Sequence, residues 1–211
     1  GPAAAPSADA HTHSAPAKAP AGRPALVLIG CSTGGPAALQ TILPALGGPL
    51  PVPVLVVQHI ALGFTRHLAE RLHQLCRFPV KEAEDGEIAR PGTVYIAPSG
   101  QQALVVHAPE GVVIRTRPPL ASDPPYRPSV DVALTAAAEA LGGRVLAVIL
   151  TGMGKDGLAG CRALKARGGR VIAEAPETCV VYGMPRAVHE AGLADEQAPL
   201  YDIPACILRN L

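Results

Sequence analysis

Three apolar runs constrain this chain more than any other feature: ALVLIG (25–30), VPVLVVQ (52–58) and RVLAVIL (144–150). None alternates apolar with polar residues, and all are rich in Val, Ile and Leu. A strand with one wet face alternates with a period of two; a strand buried on both faces reads as a continuous apolar run. Such strands belong in a parallel sheet covered by helices. The segments between them agree. Residues 36–46 read as a helix, with Pro near the first turn and Gly47-Gly48 past the end, and 64–76, 130–141 and 158–167 carry helical patterns too. A shorter strand, RVIAEA (170–175), and a helix around 185–190 closed by Gly192 continue the alternation. Residues 93–116 differ: their apolar runs are separated by Gly-containing turns, which predicts antiparallel strands or a hairpin. The expected class is α/β, a doubly wound, mainly parallel sheet flanked by helices with an antiparallel hairpin insertion.

Composition narrows what such a fold could serve. The 211 residues are 48% hydrophobic, enough for a sizeable core, yet no apolar stretch reaches the 18 residues of a membrane span. Eighteen basic residues balance 17 acidic ones without a Lys/Arg cluster, and there are two Phe, four Tyr and no Trp. That argues against nucleic acid or a lipid surface as partner, and no membrane insertion is expected. The five cysteines (31, 76, 161, 179 and 206) contain no C-x-x-C and no His at ligand spacing, so neither a disulfide framework nor a metal site is suggested. Each is expected to sit buried as a small hydrophobe in a reducing compartment. Residues 1–24 hold nine Ala and five Pro, and no Val, Ile, Leu or Met precedes Leu26. This tract reads as a disordered Ala/Pro-rich linker without a secretory h-region, its Gly1-Pro2 start looking like a tag-cleavage scar, with the folded domain at 25–211. His11 and His13 form an H-x-H within it, a poor metal site on a floppy chain.

In open α/β sheets the site lies beyond the carboxyl ends of the strands. After the first run comes Gly30-Cys31-Ser32-Thr33-Gly34-Gly35, after the second His59, and after the third Thr151-Gly152-Met153-Gly154-Lys155-Asp156-Gly157. A Ser, a His and an Asp at three such ends supply a nucleophile, a base and an orienting group. The first loop matches G-x-S-x-G, in which flanking glycines let the chain bend and the next helix offers N–H groups to an oxyanion. Taken singly, each has a plainer reading: a Ser N-cap, a hydrogen-bonded His, a carboxylate at a helix start. Together they would require three coincidences at one sheet edge. A phosphate-binding loop fits less well, lacking the Lys of G-x-x-x-x-G-K-[ST] and the spacing of G-x-G-x-x-G. The order Ser, His, Asp, with Ser after the first strand, also departs from the α/β-hydrolase order.

Several blocks resemble one family. GCSTGG (30–35), QHI (58–60) with FTRHLAERL (64–72), VKEAEDGE (80–87) with PGTVYIAP (91–98), RPSVDV (127–132), ILTGMGKDG (149–157) and VVYGMPR (180–186) are similar to the catalytic domain of chemotaxis protein-glutamate methylesterases, the CheB family. The resemblance covers about residues 25–210. It implies a cytoplasmic serine hydrolase that cleaves glutamate methyl esters on the cytoplasmic helices of methyl-accepting chemoreceptor proteins, often deamidating glutamines as well, with no cofactor. Carried over, Ser32 is the nucleophile, His59 the base and Asp156 its orienter; Thr33 lies at the site and the Met153 N–H helps hold the oxyanion. The resemblance also implies a phosphorylatable receiver domain that blocks the site until phosphorylated; this sequence contains none. Cys31 stands where the family usually has Ala. Two alternatives stay open: a serine hydrolase or amidase acting on a small molecule, and a non-catalytic domain in which GCSTGG only holds an anion.

Overall fold

The computed structural model describes residues 22–211, so most of the expected linker, including the H-x-H, lies outside the described residues. The strands are β1 (Leu26–Cys31), β2 (Val54–Gln58), β3 (Val80–Glu82), β4 (Glu87–Ile88), β5 (Val94–Ile96), β6 (Gln102–Ala108), β7 (Gly111–Arg117), β8 (Val145–Ile149), β9 (Arg170–Glu174) and β10 (Glu196–Ala198). The helices are α1 (Gly35–Ala45), α2 (Thr65–Leu75), α3 (Val130–Leu141), α4 (Leu158–Ala166), α5 (Met184–Glu190) and α6 (Ile203–Arg209).

Seven strands form one sheet in the order β10-β9-β8-β1-β2-β5-β3, and every pairing within it is parallel. β1 lies in the middle, paired with β2 from Val27↔Val54 to Cys31↔Gln58 and with β8 from Leu26↔Val145 to Gly30↔Ile149. The three long apolar runs are therefore neighbours, and their carboxyl ends lie side by side. A second sheet, β4-β7-β6, is antiparallel and contains the β6–β7 hairpin. The mainly parallel doubly wound sheet and the hairpin insertion are both present.

Burial explains the unbroken apolar runs. Val27, Ile29 and Cys31 enter one core with Leu39, Ile42 and Leu43 of α1, Leu68 and Leu72 of α2, and Ile203 and Ile207 of α6. Leu26 and Leu28 enter a second core with Val130 and Leu134 of α3, Cys161 and Leu164 of α4, Met184 and Val188 of α5, and Val105 and Ile114 of the hairpin. Side chains alternate faces along a strand, so a strand covered on both sides needs an apolar residue at each position. The helix starts also follow the sequence. Gly34 (φ 84°) and Gly157 (φ 103°) occupy the left-handed region at the N-caps of α1 and α4, a conformation glycine adopts without penalty.

Two expectations are corrected. Val94–Ile96 is not part of an antiparallel unit; it is β5, parallel to both β2 and β3. All three of its residues are buried, which marks it as a strand covered on both faces, whereas β6 and β7 each keep partly exposed positions. The cysteines are not uniformly buried. Cys31, Cys161 and Cys206 are buried, but Cys76 and Cys179 are half-buried at element ends. The short strands β3, β4 and β10 and the helix α6 have no clear signal in the sequence, because two or three residues are too few to set a strand period and α6 is only two turns long.

Leu28 is fully buried between layers, whereas Val106 on the hairpin is 39% exposed. Leu28→Ala should destabilise the domain by about 2–5 kcal/mol in chemical denaturation, and Val106→Ala by less than about 0.5 kcal/mol. Equal losses would contradict this assignment of the core.

Candidate active site

The turn after β1 carries Cys31, Ser32 and Thr33. Ser32 is half-buried and Thr33 exposed. The Ser32 N–H donates to Thr151 O at 3.0 Å, and Gly35 N–H closes the turn onto Ser32 O at 2.8 Å. Gln58, the last residue of β2, locks this turn to its neighbour. Its Nε2 donates to Ser32 O and to His59 O, both at 2.9 Å, while its Oε1 accepts from Cys31 Sγ at 2.9 Å. The close approach requires glycine at 35, where any Cβ would run into Gln58 Oε1. Cys31 is thus packed beneath the turn. Burial, reinforced by the nearby Glu174 carboxylate, pushes its thiol far above the ordinary range, which keeps it protonated and unreactive.

His59 follows β2 directly, and its N–H donates to Cys31 O at 3.0 Å. Its Nε2 meets Asp156 Oδ2 at 2.6 Å, with the His59 side chain 10% exposed and the Asp156 side chain fully covered. One face of the imidazole stacks on Tyr126, the ring centroids 4.2 Å apart and the planes 3° from parallel. His59 Nδ1 is buried and has no partner among the described residues. An uncommitted, buried imidazole nitrogen is free to take a proton, because the other nitrogen is already bonded to a carboxylate.

Asp156 sits at the start of α3 rather than only at the end of its own strand. It accepts from Val130 N–H at 2.7 Å, from Asp131 N–H at 2.9 Å and from Ser129 Oγ at 3.0 Å. Ser129 is the N-cap of α3. Asp131 returns the arrangement by accepting from Gly157 N–H at 2.9 Å and Gly160 N–H at 2.8 Å at the start of α4. Two adjacent helices are therefore capped by carboxylates from each other's segments. Burial pushes Asp156 up, but the His59 hydrogen bond and the two amides outweigh it, leaving the carboxyl below the usual range. Burial, the largest influence on Asp131, holds that carboxyl above its usual range.

The three strand-end residues thus occupy one edge of the sheet, with His59 and Asp156 in direct contact. Met153 stands in the loop after β8 with its side chain 65% exposed. Gln58, Ser129 and Asp131 fall in the QHI and RPSVDV blocks but are given no role by the sequence, and Tyr126 lies outside every such block. A Ser just before the helical period at 130 is an N-cap signal that could have revealed Ser129. Tyr126 carries none, since its loop has no period and its contact with His59 spans distant segments. That loop is pinned by Gln102, which donates to Tyr126 O at 2.7 Å and accepts from Ser129 N–H at 2.8 Å. Among the described residues no group of three or more His, Cys, Asp or Glu could hold a metal ion. No helix of the described residues is long and apolar enough to cross a membrane.

Because the Asp156 carboxyl titrates lower in the folded than in the unfolded state, its contribution is complete above the unfolded value of about 3.9. It is lost as pH falls through the depressed folded value. Asp156→Asn should therefore lower stability by about 1.5–3 kcal/mol at pH 7. The gap from the parent protein should begin to narrow as pH falls below about 3.9 in urea denaturation. A pH-independent gap would contradict the ionised, helix-capping carboxylate.

Comparison with known proteins shows the family and the fold. A CheB methylesterase family model matches residues 27–207. The protein-glutamate methylesterase/protein-glutamine glutaminase of Desulfitobacterium hafniense is 49% identical over 178 residues, covering 84% of this chain and 45% of that protein. The protein of the same name from Moorella thermoacetica is 48% identical over 191 residues, covering 90% and 45%. The crystal structure of the Thermotoga maritima CheB methylesterase catalytic domain superposes with a TM-score of 0.85 at 45% identity, covering 89% of this chain and 99% of that one. The chain spans about half the length of the curated relatives it matches. Family model and fold agree, and the chain belongs to the CheB methylesterase family.

Proposed function

We propose that this domain is a serine hydrolase that removes methyl groups from glutamate side chains of chemoreceptor proteins. The chief support is the His59–Asp156 pair, which leaves a buried Nδ1 without a partner among the described residues on a residue whose backbone N–H donates to Cys31 O, next to Ser32. In this reading Ser32 Oγ attacks the ester carbonyl while His59 Nδ1 takes its proton. Asp156 keeps the other proton on Nε2 and stabilises the imidazolium as it forms. The Met153 N–H receives the negative charge on the carbonyl oxygen, and Thr33 follows Ser32 at the site. Collapse of the tetrahedral intermediate expels methanol, protonated by His59, and leaves the glutamyl group esterified to Ser32. Water, giving its proton to His59, then attacks that ester and frees the glutamate carboxylate and Ser32. The same sequence on a glutamine side chain would release ammonia, in keeping with the double name of the relatives.

A protein substrate is favoured over a small molecule by the surroundings of the site. Met153 in the loop after β8 and Val180 (69%) stand exposed, and Val180 lies against Gly34 beside the Ser32 turn. Exposed apolar side chains beside the turn suit a docking helix. We place the reaction in the cytoplasm, where the relatives' chemoreceptor helices would lie. In this reading a receiver domain outside the 211 residues acts on the site as a regulator.

The direct test is methanol release from methyl-esterified receptor fragments. Ser32→Ala should reduce it by a factor on the order of 10⁶ while leaving the thermal midpoint nearly unchanged. Retention of more than a few per cent would overturn the assignment. Labelling of Ser32 by a fluorophosphonate separates catalysis from mere anion binding, and a parent protein that stays unlabelled would count against hydrolysis altogether. Cys31→Ala should keep most of the activity, since it removes only a weak S–H donor to Gln58 Oε1, while Gln58 Nε2 still holds Ser32 O and His59 O. Tyr126→Phe should likewise be nearly neutral, whereas Tyr126→Ala should lower kcat about tenfold by releasing the imidazole. Equal activity of the two Tyr126 variants would show that the stacking does not matter.

A further inference from the structure

Glu174 ends β9 with its side chain fully buried, yet the reaction outlined above gives it no role. No ion pair among the described residues includes it. A carboxylate in such a place is costly unless hydrogen bonds hold it, and both its oxygens are used. Oε1 accepts from Thr151 N–H and Oε2 from Thr178 Oγ, each at 2.9 Å. Thr178 is itself fixed, since its Oγ accepts from Leu200 N–H at 2.9 Å.

Thr151 is the junction through which this matters. It is itself buried, and its carbonyl accepts from Ser32 N–H at 3.0 Å. Its hydroxyl donates to Thr33 O at 2.9 Å and accepts from Val181 N–H at 3.0 Å. The next residue is tied down as well, Gly152 N–H donating to Val181 O at 3.0 Å. One residue therefore carries both the nucleophile turn and the start of the loop that contains Met153, and Glu174 holds its N–H from below.

We propose that Glu174 is a positioning residue for Ser32, acting through Thr151 to fix the nucleophile turn against the loop of Met153. The proposal rests on the hydrolase reading above. An apolar side chain at 174 would leave the buried Thr151 N–H without an acceptor and free the junction to shift. Displacements of about 1 Å from groups remote from the chemistry can cost roughly 10²-fold in rate. What the site requires is an oxygen directed at Thr151, so Gln, which keeps Oε1 and can donate to Thr178 through its amide, should serve nearly as well.

The test measures methanol release from methyl-esterified receptor fragments, and in parallel hydrolysis of p-nitrophenyl acetate, by the parent chain and by Glu174→Ala, Glu174→Gln and Thr178→Val. Folding of each variant is checked by its thermal midpoint. Glu174→Ala should lose about 10- to 100-fold in kcat with KM unchanged within about twofold, because Glu174 does not touch substrate. Glu174→Gln should recover to within about threefold of the parent. Thr178→Val, which frees only one carboxylate oxygen, should fall between them and gives the answer if Glu174→Ala does not fold. A folded Glu174→Ala or, failing that, a Thr178→Val with parental kcat overturns the proposal. So does a Glu174→Gln as slow as Glu174→Ala, which would make the charge rather than the hydrogen bond the working part. Failure of the hydrolase reading looks different: the parent chain itself would release no methanol.

Discussion

The Asp156 carboxylate is the point on which helix packing and chemistry both depend. It accepts from Ser129 Oγ, Val130 N–H, Asp131 N–H and His59 Nε2. Three of those donors belong to the N-terminus of α3, where the orphan amides and the helix dipole favour a negative charge. The fourth is the base of the proposed reaction. Asp131 caps α4 in the same manner from the other side, so two of the helices that cover one face of the sheet are cross-linked through the residues that orient the imidazole. His59 is held on its edge by Asp156 and on its face by Tyr126, leaving it little freedom to turn. The hydrogen bonds that anchor these helices also preorganise the site.

The Ser32 turn depends on a different constraint, the central place of β1. Its neighbours β2 and β8 end in the residues that grip the turn. Gln58 holds Ser32 O and the Cys31 thiol, and Thr151 takes the Ser32 N–H on the other side. The parallel register brings all three ends to one level. An edge strand would offer such support on one flank only. The crowding at Gly35 is the consequence: the turn is packed so closely on Gln58 that no side chain fits.

How much of this is legible in the sequence depends on the length of the pattern that carries it. Long runs buried on both faces have an unmistakable composition, and so β1, β2 and β8 and the residues following them can be placed from the order of amino acids alone. The gathering of Ser32, His59 and Asp156 at one edge of the sheet is legible for the same reason, since the carboxyl ends of neighbouring parallel strands lie together. Val94–Ile96 is misplaced by its pattern because three residues cannot distinguish a parallel strand from part of a hairpin. Tyr126 and Gln58 owe their positions to tertiary contacts between distant segments, which no local pattern encodes. Glu174 is hidden inside a strand pattern, where a single polar residue near the end of RVIAEA reads as a boundary rather than as a buried hydrogen-bond acceptor.

The account turns on which imidazole nitrogen is left free to act as base. Nitrogen-15 NMR of His59 in its neutral form tests this directly. The geometry predicts the proton on Nε2, with a strongly deshielded Nε2–H signal that disappears in Asp156→Asn, and a bare Nδ1. A neutral His59 carrying its proton on Nδ1, or an Nε2–H signal indifferent to the loss of the Asp156 carboxylate, would contradict it.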